Sequence, residues 1–235
     1  MTNKDLYVLI HSPLVGPLTW KLVADEMQRR GLDALVPTLK DSPDSNKPFW
    51  KQHTESVSEA LMQISSSTSF ILVAHSGAGP LLPAIRESLP NPVRVYVFVD
   101  AGIPRDEATR LELMRSEDPE WAQGFQTELK RGERFPTWSV DDLQEVIPDD
   151  SLRRQMVTEL HSRGLDFFTE PIPVFDGWPD APCVYIQFSA AYEQPAAQAK
   201  QAGWQTYKLE AGHFHMLVDP EHVAALMIAA MDNSA

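Results

Sequence analysis

Short runs of consecutive apolar residues alternate, along the first half of the chain, with stretches whose apolar positions recur every three or four residues. LYVLI (6–10), DALVPTL (33–39), FILVA (70–74) and VRVYVFV (93–99) are short and almost uniformly apolar, so they read as strands buried on both faces. Between the first two, TWKLVADEMQRRG (19–31) gathers Trp20, Val23, Ala24 and Met27 on one helical face and stops at Gly31. KPFWKQHTESVSEALMQI (47–64) does the same with Phe49, Trp50, His53, Val57, Ala60, Leu61 and Ile64, and GPLLPAIRESL (79–89) predicts a helix after the third run. SSSTS (65–69) reads as a connector. Strands alternating with helices predict a mostly parallel sheet with right-handed crossovers.

The pattern then changes. Residues 105–180 carry helical periodicity, charge and large aromatics, as in WAQGFQTELKRGERFPTW (121–138), but no convincing buried strand. They read as a helical insertion over the sheet. Strand character returns in PCVYIQF (182–188) and WQTYKLE (204–210), and DPEHVAALMIAAMDN (219–233) reads as a last helix. The expected organisation is a core of residues 1–104 and 181–235, with a helical cap at 105–180. There is no internal repeat and no low-complexity tract.

The 235 residues suffice for one domain with a sizeable core, or one carrying an insertion. A formal charge of −13 disfavours a nucleic acid partner. The single Cys183 forms no internal disulfide, which fits a reducing cytoplasm. The start MTNKDLYVLIHS lacks a secretory h-region, and no apolar run reaches the ~20 residues of a bilayer span. The expected partner is therefore a small-molecule substrate, with no membrane association, for a monomer or homodimer.

Ligands of parallel sheets sit at the carboxyl ends of the strands. His11, Ser12, Ser76 and Asp100 all lie at such ends. A serine hydroxyl becomes nucleophilic only when a base takes its proton, and its presentation needs a tight strand-to-helix turn flanked by small residues. Ala74-His75-Ser76-Gly77-Ala78 meets that demand, with alanine where glycine is usual. The bland alternative is a serine in an ordinary turn. The base is expected after the last strand, where EAGHFHMLVDPEHV offers His213 and His215. His213 directly follows Gly212 at the strand exit and is the expected base; His215 is expected to line or support the same pocket. A metal pair is disfavoured because no cysteine or acidic third ligand stands at a recognised spacing, so neither metal nor organic cofactor is implied.

VLIHSPLVGPLTW, VAHSGAG, VFVDAGIP and GHFHMLVDPEHVA, in this order and at these intervals, make the chain resemble the α/β-hydrolase superfamily over nearly its whole length. Within it, the sequence looks most like the small plant-type esterases and hydroxynitrile lyases and their bacterial relatives. The resemblance implies a mostly parallel eight-stranded sheet flanked by helices, with a helical cap inserted after the sixth strand. It also implies a Ser-His-acid triad. The superfamily usually carries the acid after the seventh strand, where this chain reads IQFSAAYEQP and offers only Glu193. Some members carry it after the sixth, where Asp100 closes VFVDAGIP. Asp100 is favoured over Glu193 on strand position; burying an aspartate there is costly unless it is paired, and a histidine would be such a partner, the alternatives being a helix-cap or loop-bracing role for Asp100 and a solvated loop position for Glu193.

One departure stands out. The oxyanion formed in acyl transfer needs donors. Gly77 N–H is one; the second normally stands two residues past the histidine of the first loop. Here that residue is Pro13, which has no N–H. Leu14 N–H or the Ser12 hydroxyl replaces it, or the loop is shifted by one residue. Pro13, His215, Trp138 and Phe125 are expected to line the substrate pocket, with Trp121, Phe135, Phe167 and Phe168 as further roof candidates or as the cap's own core. His75 is expected to point into sheet packing and His11 to brace its loop. The reaction expected is hydrolysis of an ester, thioester or lactone of a small to medium, apolar or aromatic substrate. The alternatives are a lyase or cyclase using the same triad, and a non-catalytic ligand-binding protein on this scaffold.

Overall fold

A computed structural model describes residues 5–42 and 44–232. The first four residues, and Asn233 of the expected last helix, lie outside them. The core opens with β1 (Asp5–Ile10), α1 (Leu18–Arg29), β2 (Asp33–Leu35), α2 (Phe49–Leu61), β3 (Ser69–Ser76), α3 (Leu82–Ser88) and β4 (Val93–Ala101). β2 stops at Leu35 although the apolar pattern runs on, because Pro37 supplies no ladder N–H. The intervening segment holds β5 (Ala108–Thr109), α4 (Arg110–Glu117), α5 (Pro119–Lys130), α6 (Asp150–Thr158), α7 (Leu165–Thr169) and β6 (Pro171–Ile172). The core resumes with β7 (Cys183–Gln187), α8 (Glu193–Gln201), β8 (Gln205–Lys208), α9 (His215–Val218) and α10 (Pro220–Asp232).

Among the described residues the central sheet has six parallel strands in the order β2-β1-β3-β4-β7-β8, not the eight expected. The six strand-like runs of the sequence supply one strand each. The two-residue β5 and β6 pair antiparallel with each other, outside the sheet, and the segment that holds them follows the fourth strand of the chain rather than the sixth. Side chains alternate between two apolar layers, as strand geometry requires. Tyr7, Leu9, Ile71, Val73, Val97 and Val99 pack with α1 and α10, while Leu6, Val8, Ile10, Leu72, Ala74 and Phe98 pack with α2 and α3. Leu143, Ile147 and Met156 of the inserted segment join the first layer.

The segment is also tied to the core by charged side chains. α1 and α2 each follow a proline, Pro17 and Pro48, and neither has a capping side chain of its own. Each takes a glutamate from the insertion instead. Glu159 Oε2 accepts from Leu18 N at 2.9 Å, and Glu170 accepts from Phe49 N at 2.7 Å and Trp50 N at 3.0 Å. A Cβ on Gly16 would come within 2.2 Å of Glu159 Oε2, so this docking requires the bare backbone. Arg110, buried and stacked 3.9 Å over the Phe167 ring, donates to Glu170 at 2.8 Å. Arg163 holds Asp41 through both carboxylate oxygens at 2.7 and 2.6 Å, and His53 Nε2 lies 2.9 Å from the same carboxylate. Burial opposes the Asp41 charge, but the hydrogen bonds from His53 and Arg163 outweigh it and hold its pKa below the ordinary value.

Candidate active site

β3 keeps one register with β4 from Ile71 to His75, where a bulge lets Ser76 face Ala101. Ser76 is left with φ 56°, a left-handed conformation rare for a residue bearing a Cβ. Small neighbours make the turn possible. A Cβ on Gly79 would meet the Gly102 carbonyl at 2.1 Å, so β4 can close on the turn only because that position is glycine. Ser76 Oγ consequently stands at the carboxyl edge of the sheet.

Asp100, with φ 41°, sits at the end of β4 and is fully buried. Its carboxylate crosses to the end of β7, accepting from Phe188 N at 2.6 Å, Ser189 N at 3.1 Å and Ser189 Oγ at 2.6 Å. His213 Nδ1 lies 3.1 Å from Asp100 Oδ2. A buried carboxylate demands such donors. Glu193, the other candidate acid, is exposed on the first turn of α8 and makes no bond to His213.

Ser76 Oγ is not bonded to His213 in this structure. It shares a hydrogen bond of 3.1 Å with the hydroxyl of Tyr192, whose ring lies parallel to the His213 imidazole with centroids 5.0 Å apart. The neighbouring His75 ring lies 4.3 Å from that of His213, and its Nε2 sits 3.0 Å from the His213 carbonyl. Burial, and then the nearby His213, push the His75 pKa well below its ordinary value, so this ring is a neutral support. His11 is likewise buried. Its Nδ1 bonds the Ser12 carbonyl at 2.9 Å and its Nε2 accepts from Leu39 N at 3.2 Å. Burial lowers its pKa to about 4, in keeping with a brace of its loop.

On the other side of Ser76 the loop after β1 closes in. A Cβ on Gly77 would lie 3.1 Å from Ser12 Oγ and 3.8 Å from Pro13 Cδ. Leu14 N donates to Ser12 Oγ at 3.3 Å, so that N–H is already engaged, while the Ser12 O–H is left to point elsewhere. The cavity above Ser76 encloses about 500 Å³, open solvent included, and is walled by Leu14, Leu113, Met114, Phe167 and Phe168. Tyr192, Gly77 and Glu117 also face it. Burial raises the Glu117 pKa to about 7. An outer groove beside the exposed Trp121 shares Met114, Glu117 and Tyr192 with this cavity.

The expected lining is therefore corrected at four positions, none of which walls this cavity. Phe125 stacks on Trp121 and meets Phe135 and Phe168 edge-on, inside the insertion's own apolar cluster. Trp138 packs edge-on against Phe135 and Phe214. Pro13 is buried behind Gly77, its carbonyl accepting from Arg163. His215 turns away toward Phe188, and its ring, the Asp219 carboxylate and the His222 ring have ligand atoms within 4.8 Å of one another. Asp219 also caps α10, accepting from His222 N at 3.0 Å. Sequence reading missed Tyr192, Leu113, Met114 and Glu117, since nothing in helical spacing says which face of a cap helix looks down. Tyr192 stands just after the strand where an acid was sought, and that is the one signal that could have found it.

Among the described residues no helix is long and apolar enough to cross a membrane. The family model described as alpha/beta hydrolase family matches residues 8–226. No curated protein matches the chain. Solved structures similar to it include an extracellular alpha/beta-hydrolase from a Paenibacillus species, itself described as homologous in structure and function to tobacco salicylic acid binding protein 2. It is 18% identical, with a TM-score of 0.75 over 96% of this chain and 98% of that one. Tomato methylketone synthase I aligns at 13% identity over the whole of both chains, with a TM-score of 0.73. A pyrethroid hydrolase from Sphingobium faniae aligns at 17% identity over 98% of each, with a TM-score of 0.72.

Proposed function

The chain belongs to the alpha/beta hydrolase family, and on that premise we propose that it is a serine hydrolase cleaving carboxylic esters that carry a small to medium apolar acyl group. Ser76 is the nucleophile, His213 the base, and Asp100 the residue that fixes the imidazole tautomer. The observation that carries the reading is the buried Asp100 carboxylate, 3.1 Å from His213 Nδ1, beside a serine held at φ 56°. An aspartate at the end of a parallel strand is costly to bury without a partner, and a catalytic imidazole is such a partner.

In this mechanism a turn about the Ser76 Cα–Cβ bond carries Oγ from Tyr192 to His213 Nε2. Oγ attacks the carbonyl carbon, its proton passes to Nε2, and the carbonyl π pair moves onto oxygen. Asp100 holds Nδ1–H and stabilises the imidazolium. Gly77 N–H and the Ser12 O–H, oriented by Leu14 N–H, donate to the oxyanion. Collapse returns the proton from Nε2 to the departing alkoxide, and a water deprotonated by His213 then hydrolyses the acyl-enzyme. Leu113, Met114, Phe167 and Phe168 favour an apolar acyl group.

A second reading keeps the same three residues as an acid–base set in a lyase or cyclase that builds less charge on oxygen. The lack of an N–H at Pro13, with Leu14 N–H engaged by Ser12, favours it. Turnover of p-nitrophenyl butyrate separates the two. Hydrolysis abolished in both Ser76→Ala and His213→Ala supports the ester reading. A wild-type protein that releases no p-nitrophenol, or a Ser76→Ala variant as active as wild type, overturns it.

A further inference from the structure

The environment of Ser76 is two-sided. Gly77 N–H, Ser12 and Leu14 lie on one side, where the oxyanion is held. His213 lies on the other, from which a proton must reach the leaving group. Tyr192 belongs to the second side: its ring covers the imidazole face at 5.0 Å and its hydroxyl reaches Ser76 Oγ at 3.1 Å. Among the described residues that serine is the only hydrogen-bond partner of the phenol. Once Oγ has turned to His213 and bonded the carbonyl carbon, the half-buried phenol is left without that partner. Leaving a buried donor unpaired is unfavourable, and the oxygen that next gains negative charge beside His213 is that of the departing alkoxide.

We propose that Tyr192 is a further catalytic residue, which holds Ser76 in the resting enzyme and donates a hydrogen bond to the leaving-group oxygen as the ester bond breaks. This rests on the Ser76–His213 reading above. The balance is simple. The C–O bond to the leaving group breaks, its electron pair stays on oxygen, and the proton on that oxygen comes from His213 Nε2. Tyr192 keeps its own proton throughout. Burial, the largest influence on its phenol, raises its pKa above the ordinary value and so favours a donor over a tyrosinate. The ring, lining both the inner cavity and the outer groove, stands where a leaving group must pass.

The test is Tyr192→Phe, which keeps the stacked ring, assayed on two butyrate esters. The methyl ester has a basic leaving group that needs the donor; the p-nitrophenyl ester does not. The kcat/KM for the methyl ester is expected to fall by about 10²-fold, the scale of a lost transition-state donor. For the p-nitrophenyl ester it should hardly change, and Tyr192→His, which restores a planar donor, should recover part of the methyl-ester rate. A p-nitrophenol burst counts functional sites, so misfolded protein lowers the burst without imitating the effect. Equal loss on both esters, no loss on either, or faster methyl-ester turnover would overturn the proposal. Failure of the underlying reading looks different: Ser76→Ala would then retain turnover of both esters, whatever Tyr192→Phe does.

Discussion

The sheet edge and the inserted segment solve the same problem, holding polar groups in a low-dielectric setting, by different means. At the sheet edge Asp100 is fully buried, and its donors include two backbone N–H groups of the β7 exit, Phe188 N and Ser189 N. Ser189 Oγ and His213 Nδ1 complete the set. In the insertion the holding is between side chains of opposite charge: Arg110 with Glu170, and Arg163 with Asp41, whose carboxylate His53 also contacts. Two of its glutamates also close the open N-termini of core helices. Backbone donors cannot swing away, whereas ion pairs break when one partner is neutralised. The difference teaches that the proposed catalytic groups rest partly on backbone donors, while the segment over the cavity is held by ion pairs between side chains that a single substitution can break.

Four expectations sharpen that contrast. The largest concerns the sheet edge. Asp100→Asn should lower kcat for ester hydrolysis by about 10⁴-fold, the scale of a lost tautomer-fixing carboxylate, whereas Glu193→Gln should leave it nearly unchanged; steady-state kinetics of the two variants decide between them. Next comes the roof. Glu170→Ala strands the buried Arg110 guanidinium and uncaps α2, so urea denaturation should register a loss of about 3–5 kcal/mol. Glu159→Ala, which removes a cap without stranding a charge, should cost about 1 kcal/mol.

The third effect is acid sensitivity. Burial lowers the His11 pKa to about 4, against an unfolded value of 6.5. Below pH 6.5 the unfolded chain therefore binds a proton that the native state refuses. The stability His11 contributes is complete above 6.5 and is lost as pH falls toward 4, amounting to about 3 kcal/mol for the two and a half pKa units. The buried His75 and His53 titrate in the same direction. Denaturation midpoints at pH 7 and pH 4.5 measure the loss, and His11→Gln should flatten the slope. The smallest effect is at Glu117, whose pKa burial raises to about 7. Above pH 7 a carboxylate faces the apolar cavity, so KM for a neutral ester should rise by about two- to threefold, an effect of a few tenths of a kcal/mol. Glu117→Gln should remove that rise.

The contrast also explains what could be read from the amino-acid sequence. Each of the six strand-like runs became a strand, and β1, β3, β4 and β7 are buried along most of their length, which leaves a continuous apolar signal that needs no partner to be recognised. The placement of Ser76 and Asp100 at the sheet edge was legible for the same reason, since each sits where such a run ends. The roof was not. Phe125 and Phe168 occur in similar sequence settings, yet one packs inside the insertion's core and the other also walls the cavity. Helical spacing gives a face but not what that face meets. The long-range capping by Glu159 and Glu170 spans separations of 141 and 121 residues, and no local pattern encodes it. Tyr192 was hidden differently: its role comes from reaching across to Ser76, 116 positions away.

The central claim is that the hydroxyl of Ser76, seen on Tyr192, turns to His213 and reacts. Fluorophosphonate labelling followed by peptide mapping tests it most directly. The account predicts one adduct, on Ser76, formed rapidly by the wild-type protein and slowed at least about 10³-fold in His213→Ala, as removal of a base from such a triad does. An unlabelled Ser76, or labelling as fast without the imidazole as with it, would contradict the account.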